Sequence, residues 1–285
     1  MKSALVIGGD GFIGSALFRH LSSRKIRAIK TSRKLNVVDS NSVYLDLTNL
    51  SNLSPLPKVD VVFICAAIST KLSCLENPEL AYQVNVLAPK ILAKYFLHQG
   101  SRVIYLSSSA VFHGSDEFGR EESETSPITE YGKLKALAEN FLLDGSNNLS
   151  DQLVIVRPTK IFEAKDSLVA KWIEHLRLGM QIEAFDHVLI APISLQYFIN
   201  SLDAIGMAHS TGIFHLSGGE ELSFYEFAKR LASEIGVDHR LVSPSKNLDS
   251  NDPPPIHALL KMDRTKKILN LMPQSNSGLL KDLLK

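Results

Sequence analysis

Ala4-Leu5-Val6-Ile7-Gly8-Gly9-Asp10-Gly11-Phe12-Ile13-Gly14 is the stretch on which the fold turns. Its first four residues form an apolar run of the kind a buried strand carries. Gly8, Gly11 and Gly14 follow in G-x-x-G-x-x-G spacing, and Phe12 to Arg24 then places Ile13, Leu17 and Leu21 at helical spacing. Glycines permit the tight turn and let the backbone approach a pyrophosphate. The helix N-terminus beyond offers unpaired N–H groups and a positive dipole. Gly8, Gly11, Phe12, Ile13 and Gly14 are therefore the candidate cofactor loop.

Outward from this loop, strand and helix signals alternate. Ile26 to Lys30, Val43 to Leu45, Val59 to Ile64, Arg102 to Leu106 and Leu153 to Val156 read as further strands. Asn77-Pro78 opens a helix running to about Gln99, with a kink expected at Pro89. Ser107 to Thr129 is loop-rich, and a helix bearing Tyr131 follows. This alternation predicts an α/β fold, a doubly wound parallel sheet of the Rossmann type. Ligands of such sheets bind at the carboxyl ends of strands, so Gly8, Ala66, Ser107 and Pro158 are expected along one edge.

Past Pro158 the pattern loosens. Ser194 caps a predicted helix through Met207, Ile213 to His215 is a short strand, and Ser223-Phe-Tyr-Glu226 is a capping box. Asp252-Pro-Pro-Pro255 reads as a rigid extended segment, and a last helix begins near Asp263. The expected organisation is a dinucleotide-binding domain over 1–158 and a mainly substrate-binding lobe over 159–285, with some segments returning to the sheet.

Composition narrows the function classes. Hydrophobic content of 45% and charged content of 21% are ordinary for a soluble globular protein. A net charge of +1 gives no reason to expect a nucleic-acid partner. The longest apolar run, Val61 to Ile68, is far short of the ~20 residues a membrane helix needs. No secretory signal is visible. Cys65 and Cys74 read as free thiols in a reducing compartment, and the nine histidines show no ligand spacing, so no metal is expected. A cytoplasmic enzyme without a membrane or nucleic-acid partner fits these features.

Tyr131 and Lys135 stand four residues apart, about one helical turn, so phenol and ammonium share one helix face. A nearby ammonium lowers a tyrosine pKa, which suits the phenol to proton transfer. Cofactor preference is read at the end of the second strand. A carboxylate there would bond the ribose hydroxyls of NAD. This chain has Lys30-Thr31-Ser32-Arg33-Lys34 instead, which favours NADP(H) through Ser32 and Arg33 while leaving NAD(H) open. Asp46 and Leu47 fall at an adenine contact, and Ala66 and Ala67 are small enough for the cofactor to lie close.

With these residues in place, the chain resembles the extended short-chain dehydrogenase/reductases (the NAD-dependent epimerase/dehydratase superfamily), most of all the dTDP-4-dehydrorhamnose reductase family. Asn77-Pro-Glu-Leu-Ala-Tyr-Gln-Val-Asn85-Val-Leu-Ala is similar to that family's helix with an internal Val-Asn. Tyr105-Leu-Ser-Ser108-Ser-Ala-Val-Phe-His-Gly114 is similar to its Ser-Thr-Asp-Tyr-Val-Phe-x-Gly segment. Thr211-Gly-Ile-Phe-His-Leu-Ser-Gly218 and Ser223-Phe-Tyr-Glu-Phe-Ala228 resemble its C-terminal elements. The resemblance implies Ser108 as the catalytic hydroxyl with Tyr131 and Lys135, flanked by Ser107 at the cofactor. Asn85 corresponds to the helix asparagine, which the resemblance makes structural beside the cofactor.

The activity so implied is NADPH-dependent reduction of a keto group on a nucleotide-activated or phosphorylated sugar. An NAD-dependent sugar-nucleotide epimerase and a non-catalytic, cofactor-binding regulatory subunit are the alternatives, and family members often form homodimers. Ser109 and Ala110 stand where related dehydratases carry an Asp-Glu pair, which argues against dehydration. Arg157-Pro-Thr-Lys-Ile-Phe162 matches the family's Arg-Thr-Ser-Trp-Val-Tyr in outline. Ser109 replaces its aspartate and Lys160 its tryptophan, making both candidate substrate contacts.

Overall fold

The computed structural model describes residues 1–35, 39–115, 119–144, 150–163, 167–246 and 257–285. The Asp252–Pro255 segment lies outside the described residues.

The first half alternates strand and helix. In chain order come β1 (Ser3–Ile7), α1 (Phe12–Ser23), β2 (Arg27–Ser32), β3 (Ser42–Tyr44), β4 (Val61–Ile64), α2 (Lys71–Glu76), α3 (Pro78–Tyr82), α4 (Ala88–His98), β5 (Arg102–Leu106), α5 (Glu130–Asp144) and β6 (Leu153–Pro158). The second half adds β7 (Ile161–Phe162), α6 (Ser167–Arg177), β8 (Ile182–Phe185), β9 (Leu189–Ile190), β10 (Ile193–Ser194), α7 (Leu195–Met207) and β11 (Gly212–Leu216). β12 (Leu222–Ser223), α8 (Phe224–Glu234), β13 (Val242–Ser245), α9 (Asp263–Leu269) and α10 (Asn276–Leu283) complete it.

Seven strands form the main sheet in the order β11-β6-β5-β4-β1-β2-β3. All of its pairings are parallel. β1 pairs with β2 on one side and β4 on the other, so the winding direction reverses at β1. The crevice at that reversal is where a doubly wound sheet receives its ligand. Both faces of the sheet are covered. Val6, Phe63 and Ile104 pack with α1 and α7 residues such as Leu17 and Phe198, and Leu5, Val62 and Tyr105 pack with Leu92 and Phe96 of α4. This explains why the strands read as continuous apolar runs.

A third core gathers residues from 162 onward, including Phe162, Trp172, Phe227 and Leu231. The paired short strands β10-β7, β12-β9 and β13-β8 belong to this half. β11 returns to the main sheet beside β6. Ser194 and Ser223 cap α7 and α8 through their hydroxyls, and the Ser223/Glu226 capping box is complete.

Three local readings change. The helix from Pro78 is interrupted by a π-helical turn at Gln83–Leu87, directly before Pro89. Proline has no N–H for the ladder, and the chain widens the turn ahead of it where the sequence predicted a kink at Pro89. Asn77 flanks this helix but makes no side-chain cap bond, and its backbone N–H closes α2 on the Ser73 carbonyl. Beyond Asp263 there are two helices where one was expected. Asn270, at φ 54°, ends α9 in the left-handed conformation, and Ser275 caps α10.

Candidate active site

A groove of about 430 Å³ opens along the carboxyl ends of β1, β2, β4 and β5. Gly8, Gly11, Phe12, Ile13 and Gly14 form its floor at the first turn. Gly8 has φ +85°, and a side chain there would meet Ala66 at 2.7 Å. A side chain on Gly14 would meet the Gly8 carbonyl at 2.2 Å, so this glycine lets α1 start against the turn. The loop is also sewn to β2. Gly8 N donates to Thr31 Oγ1 at 3.0 Å and Gly9 N to the Thr31 carbonyl at 3.1 Å.

Ser32, Arg33, Asp46 and Leu47 line the end of the groove beyond β2 and β3. Asp46 is held below the usual carboxylate range by hydrogen bonds from the Thr48 backbone and hydroxyl. Ala66 and Ala67 line the wall after β4. Asn85 is not on the wall. Its amide holds both backbone groups of Ile68, accepting from N and donating to O at 2.8 Å each, so it shapes the segment that is.

At the opposite end stand Ser107, Tyr131 and Lys135. Gly132 explains how α5 reaches them. A side chain at that position would lie 2.1 Å from the Ala110 carbonyl, so its absence lets the helix rest on the turn at Ser109–Val111. Ser108 caps this turn, its hydroxyl accepting from Ala110 N at 3.1 Å, and it stands close enough to Tyr131 to favour the phenolate. Lys135 is buried and donates from Nζ to the Leu106 carbonyl at 2.7 Å.

The electrostatics differ from the sequence-based expectation in one respect. Burial pushes the Tyr131 phenol up to about 12, reinforced by Cys74 and opposed by the Ser108 hydroxyl. The Lys135 ammonium lies 5.9 Å from the Tyr131 ring centre and is committed to Leu106, so it does not lower that pKa in this geometry. Its own pKa is lowered to about 8 by desolvation, with Glu139 opposing.

Asn85, Ser108, Ser109, Pro158 and Lys160 lie off the groove wall. Pro158 ends β6, buried and paired with Leu216, because β6 is separated from the groove by β5. Lys160 is exposed, its ammonium 5.7 Å from the Phe162 ring centre. Ser109 starts the turn that supports α5. The groove in turn recruits residues the sequence reading passed over, among them Asp10, Thr31, Cys65, Leu80 and Val84. Asp10 sits inside the glycine loop, and its charge was the available signal. Leu80 and Val84 gave none, since either belongs equally well in a core.

The site fits a nicotinamide dinucleotide. The turn at Gly8, Gly11 and Gly14 leaves space that side chains would fill, and Ser107 Oγ is buried at the groove wall with no hydrogen-bond partner. Among the described residues, no group of three or more His, Cys, Asp and Glu side chains is placed to hold a metal ion. No helix among them is long and apolar enough to cross a membrane.

Sheet order and glycine turn are those of an extended short-chain dehydrogenase/reductase. The family model described as the RmlD substrate binding domain matches residues 1–285, and the chain belongs to that family. It is 26% identical over 261 residues to the probable low-salt glycan biosynthesis reductase Agl14 of Haloferax volcanii, covering 88% of this chain and 86% of that protein. It is 25% identical over 260 residues to the Xenopus laevis methionine adenosyltransferase 2 subunit beta, covering 85% and 75%. The dTDP-4-dehydrorhamnose reductase of Bacillus anthracis, solved in complex with NADP, superposes with a TM-score of 0.84 at 19% identity, covering 99% of this chain and 98% of that one.

Proposed function

We propose that this protein is an NADPH-dependent reductase acting on the keto group of a nucleotide-activated or phosphorylated sugar. The observation that carries the reading is the placement of Tyr131 and Lys135, one helical turn apart, at the end of a groove floored by Gly8, Gly11 and Gly14, with Ser108 on the adjoining turn. Family membership and the likeness to sugar-nucleotide reductases support it.

When bound, the nicotinamide supplies the hydride. Tyr131 gives its proton to the carbonyl oxygen as that oxygen gains charge. A phenol pushed up to about 12 is protonated at neutral pH and ready to act as the acid. Ser108 donates a hydrogen bond to the same oxygen, stabilising charge where it develops. Lys135 binds the ribose next to the nicotinamide through its buried ammonium. Ser107, with an unused hydroxyl, contributes a further polar contact at that end. Ser32 and Arg33 accommodate a 2′-phosphate. Residues 1–158 hold the cofactor, and 159–285 cover the sugar. Free Cys65 and Cys74 suit a reducing, cytoplasmic setting.

The test is NADPH consumption with a panel of activated ketosugars. A second reading follows from the methionine adenosyltransferase subunit, whose name makes it part of another enzyme. A regulatory subunit would bind the dinucleotide without consuming it, so the same assay separates the two.

A further inference from the structure

We propose that Asp10 limits how strongly the cofactor groove prefers NADPH over NADH. The inference rests on the dinucleotide reading of the groove. The end of β2 carries no carboxylate of its own, yet the structure brings one there from the glycine loop. Asp10 Oδ2 accepts from Ser32 Oγ at 2.6 Å, and Asp10 Oδ1 accepts from Lys30 Nζ at 2.8 Å. Asp10, Ser32 and Arg33 all line the groove.

The backbone makes this placement possible. A side chain on Gly9 would meet Lys30 Cβ at 2.3 Å, so only glycine lets the loop cross β2 this closely. The loop is fixed in that crossing by the two bonds to Thr31. Asp10, the next residue, then lands against Ser32.

The consequence follows from counting donors. A serine hydroxyl has one hydrogen to give. Ser32 gives its hydrogen to Asp10, and its oxygen accepts from Lys34 N at 3.0 Å. The Lys30 ammonium is directed to the same carboxylate. Asp10 thus already occupies, as a resident anion, donors that a 2′-phosphate would use. An incoming 2′-phosphate must draw them away and also approach a carboxylate of like charge. The 2′-hydroxyl of NADH meets no such opposition and can donate to Asp10 directly. The cationic stretch favours NADPH, and Asp10 holds that preference down.

The test is titration of the full chain with NADPH and NADH, and separately with 2′,5′-ADP and ADP, following binding by fluorescence or calorimetry. Wild type, Asp10→Asn and Asp10→Ala are compared, with thermal melts to show that each variant is folded. Wild type is expected to prefer NADPH by less than about tenfold, and both variants to raise that ratio by about tenfold or more, the scale of removing one close like charge. The 2′,5′-ADP to ADP ratio moves the same way. Ratios that stay within about twofold of wild type, or that move toward NADH, overturn the role of Asp10 and leave the dinucleotide reading standing. Wild type that binds none of the four ligands overturns both.

Discussion

Lys135 Nζ donates to the Leu106 carbonyl at 2.7 Å, tying α5 to the last residue of β5. The bond fixes an ammonium at the carboxyl edge of the sheet, beside the Tyr105 ring at 4.6 Å. Desolvation there lowers its pKa to about 8. A group held this way loses its proton as pH rises through that value, and the ribose contact loses its charge with it. Cofactor affinity is therefore expected to fall as pH rises above about 8, and Lys135→Met is expected to lack that step. Binding titrations across pH 6.5 to 9.5 measure it. A flat profile in wild type contradicts the role given to Lys135.

Gly132 makes a sharper demand than its place in a helix implies. A methyl group there collides with the Ala110 carbonyl, which belongs to the turn that Ser108 caps. Gly132→Ala must push α5 away from that turn and separate Tyr131 from Ser108. The expectation is a kcat lowered by more than roughly tenfold, since a small misplacement is costly in catalysis, with cofactor affinity lowered by less, since Lys135 moves with the helix. Steady-state kinetics beside a binding titration distinguishes this from loss of the whole groove.

Behind the site, Glu139 and Arg157 form a fully buried pair, Nε to Oε1 at 3.0 Å and Nη2 to Oε2 at 2.5 Å. It joins α5 to β6. Glu139→Ala leaves the guanidinium buried without its partner and is expected to cost about 3–5 kcal/mol. Urea unfolding measures this. A loss below about 1 kcal/mol would place the pair among ordinary surface contacts.

His215 extends the same network. Its Nδ1 faces the Lys261 carbonyl at 2.9 Å and its Nε2 faces Arg157 Nη1 at 3.4 Å. Neutral imidazole satisfies both as donor and acceptor, whereas a protonated ring would set a cation against Arg157. Burial and Arg157 push its pKa down to about 3. The unfolded chain therefore binds the proton first. The stability His215 contributes is present above its unfolded value of about 6.5 and is lost as pH falls from there toward 3. Unfolding free energy measured from pH 7 to 5 should fall, and His215→Gln should reduce that slope.

Much of this arrangement is legible in the residues because local chemistry dictates it. G-x-x-G-x-x-G, the apolar strands, the Ser194 cap and the Ser223/Glu226 capping box are short-range features, and they appear where their residues place them. The place of Asp10 at the cofactor corner is not legible in the residues, because it depends on how closely Gly9 crosses Lys30. The Tyr131 pKa is likewise set by packing that spacing does not reveal. Helical spacing gives the shared face of Tyr131 and Lys135, but burial and the competing Leu106 carbonyl decide the balance. Pro89 showed where the helix must yield but not that it would yield as a π turn.

The most direct test follows NADPH absorbance while wild type and Tyr131→Phe are offered a panel of nucleotide- and phosphate-activated ketosugars, after titration shows that both bind the cofactor. The account predicts that wild type oxidises NADPH as one ketosugar becomes its alcohol, and that Tyr131→Phe is slower by roughly two orders of magnitude or more, the scale of losing a general acid. Wild type that binds NADPH yet consumes it with no ketosugar, or a Tyr131→Phe variant that turns over at the wild-type rate, would contradict it.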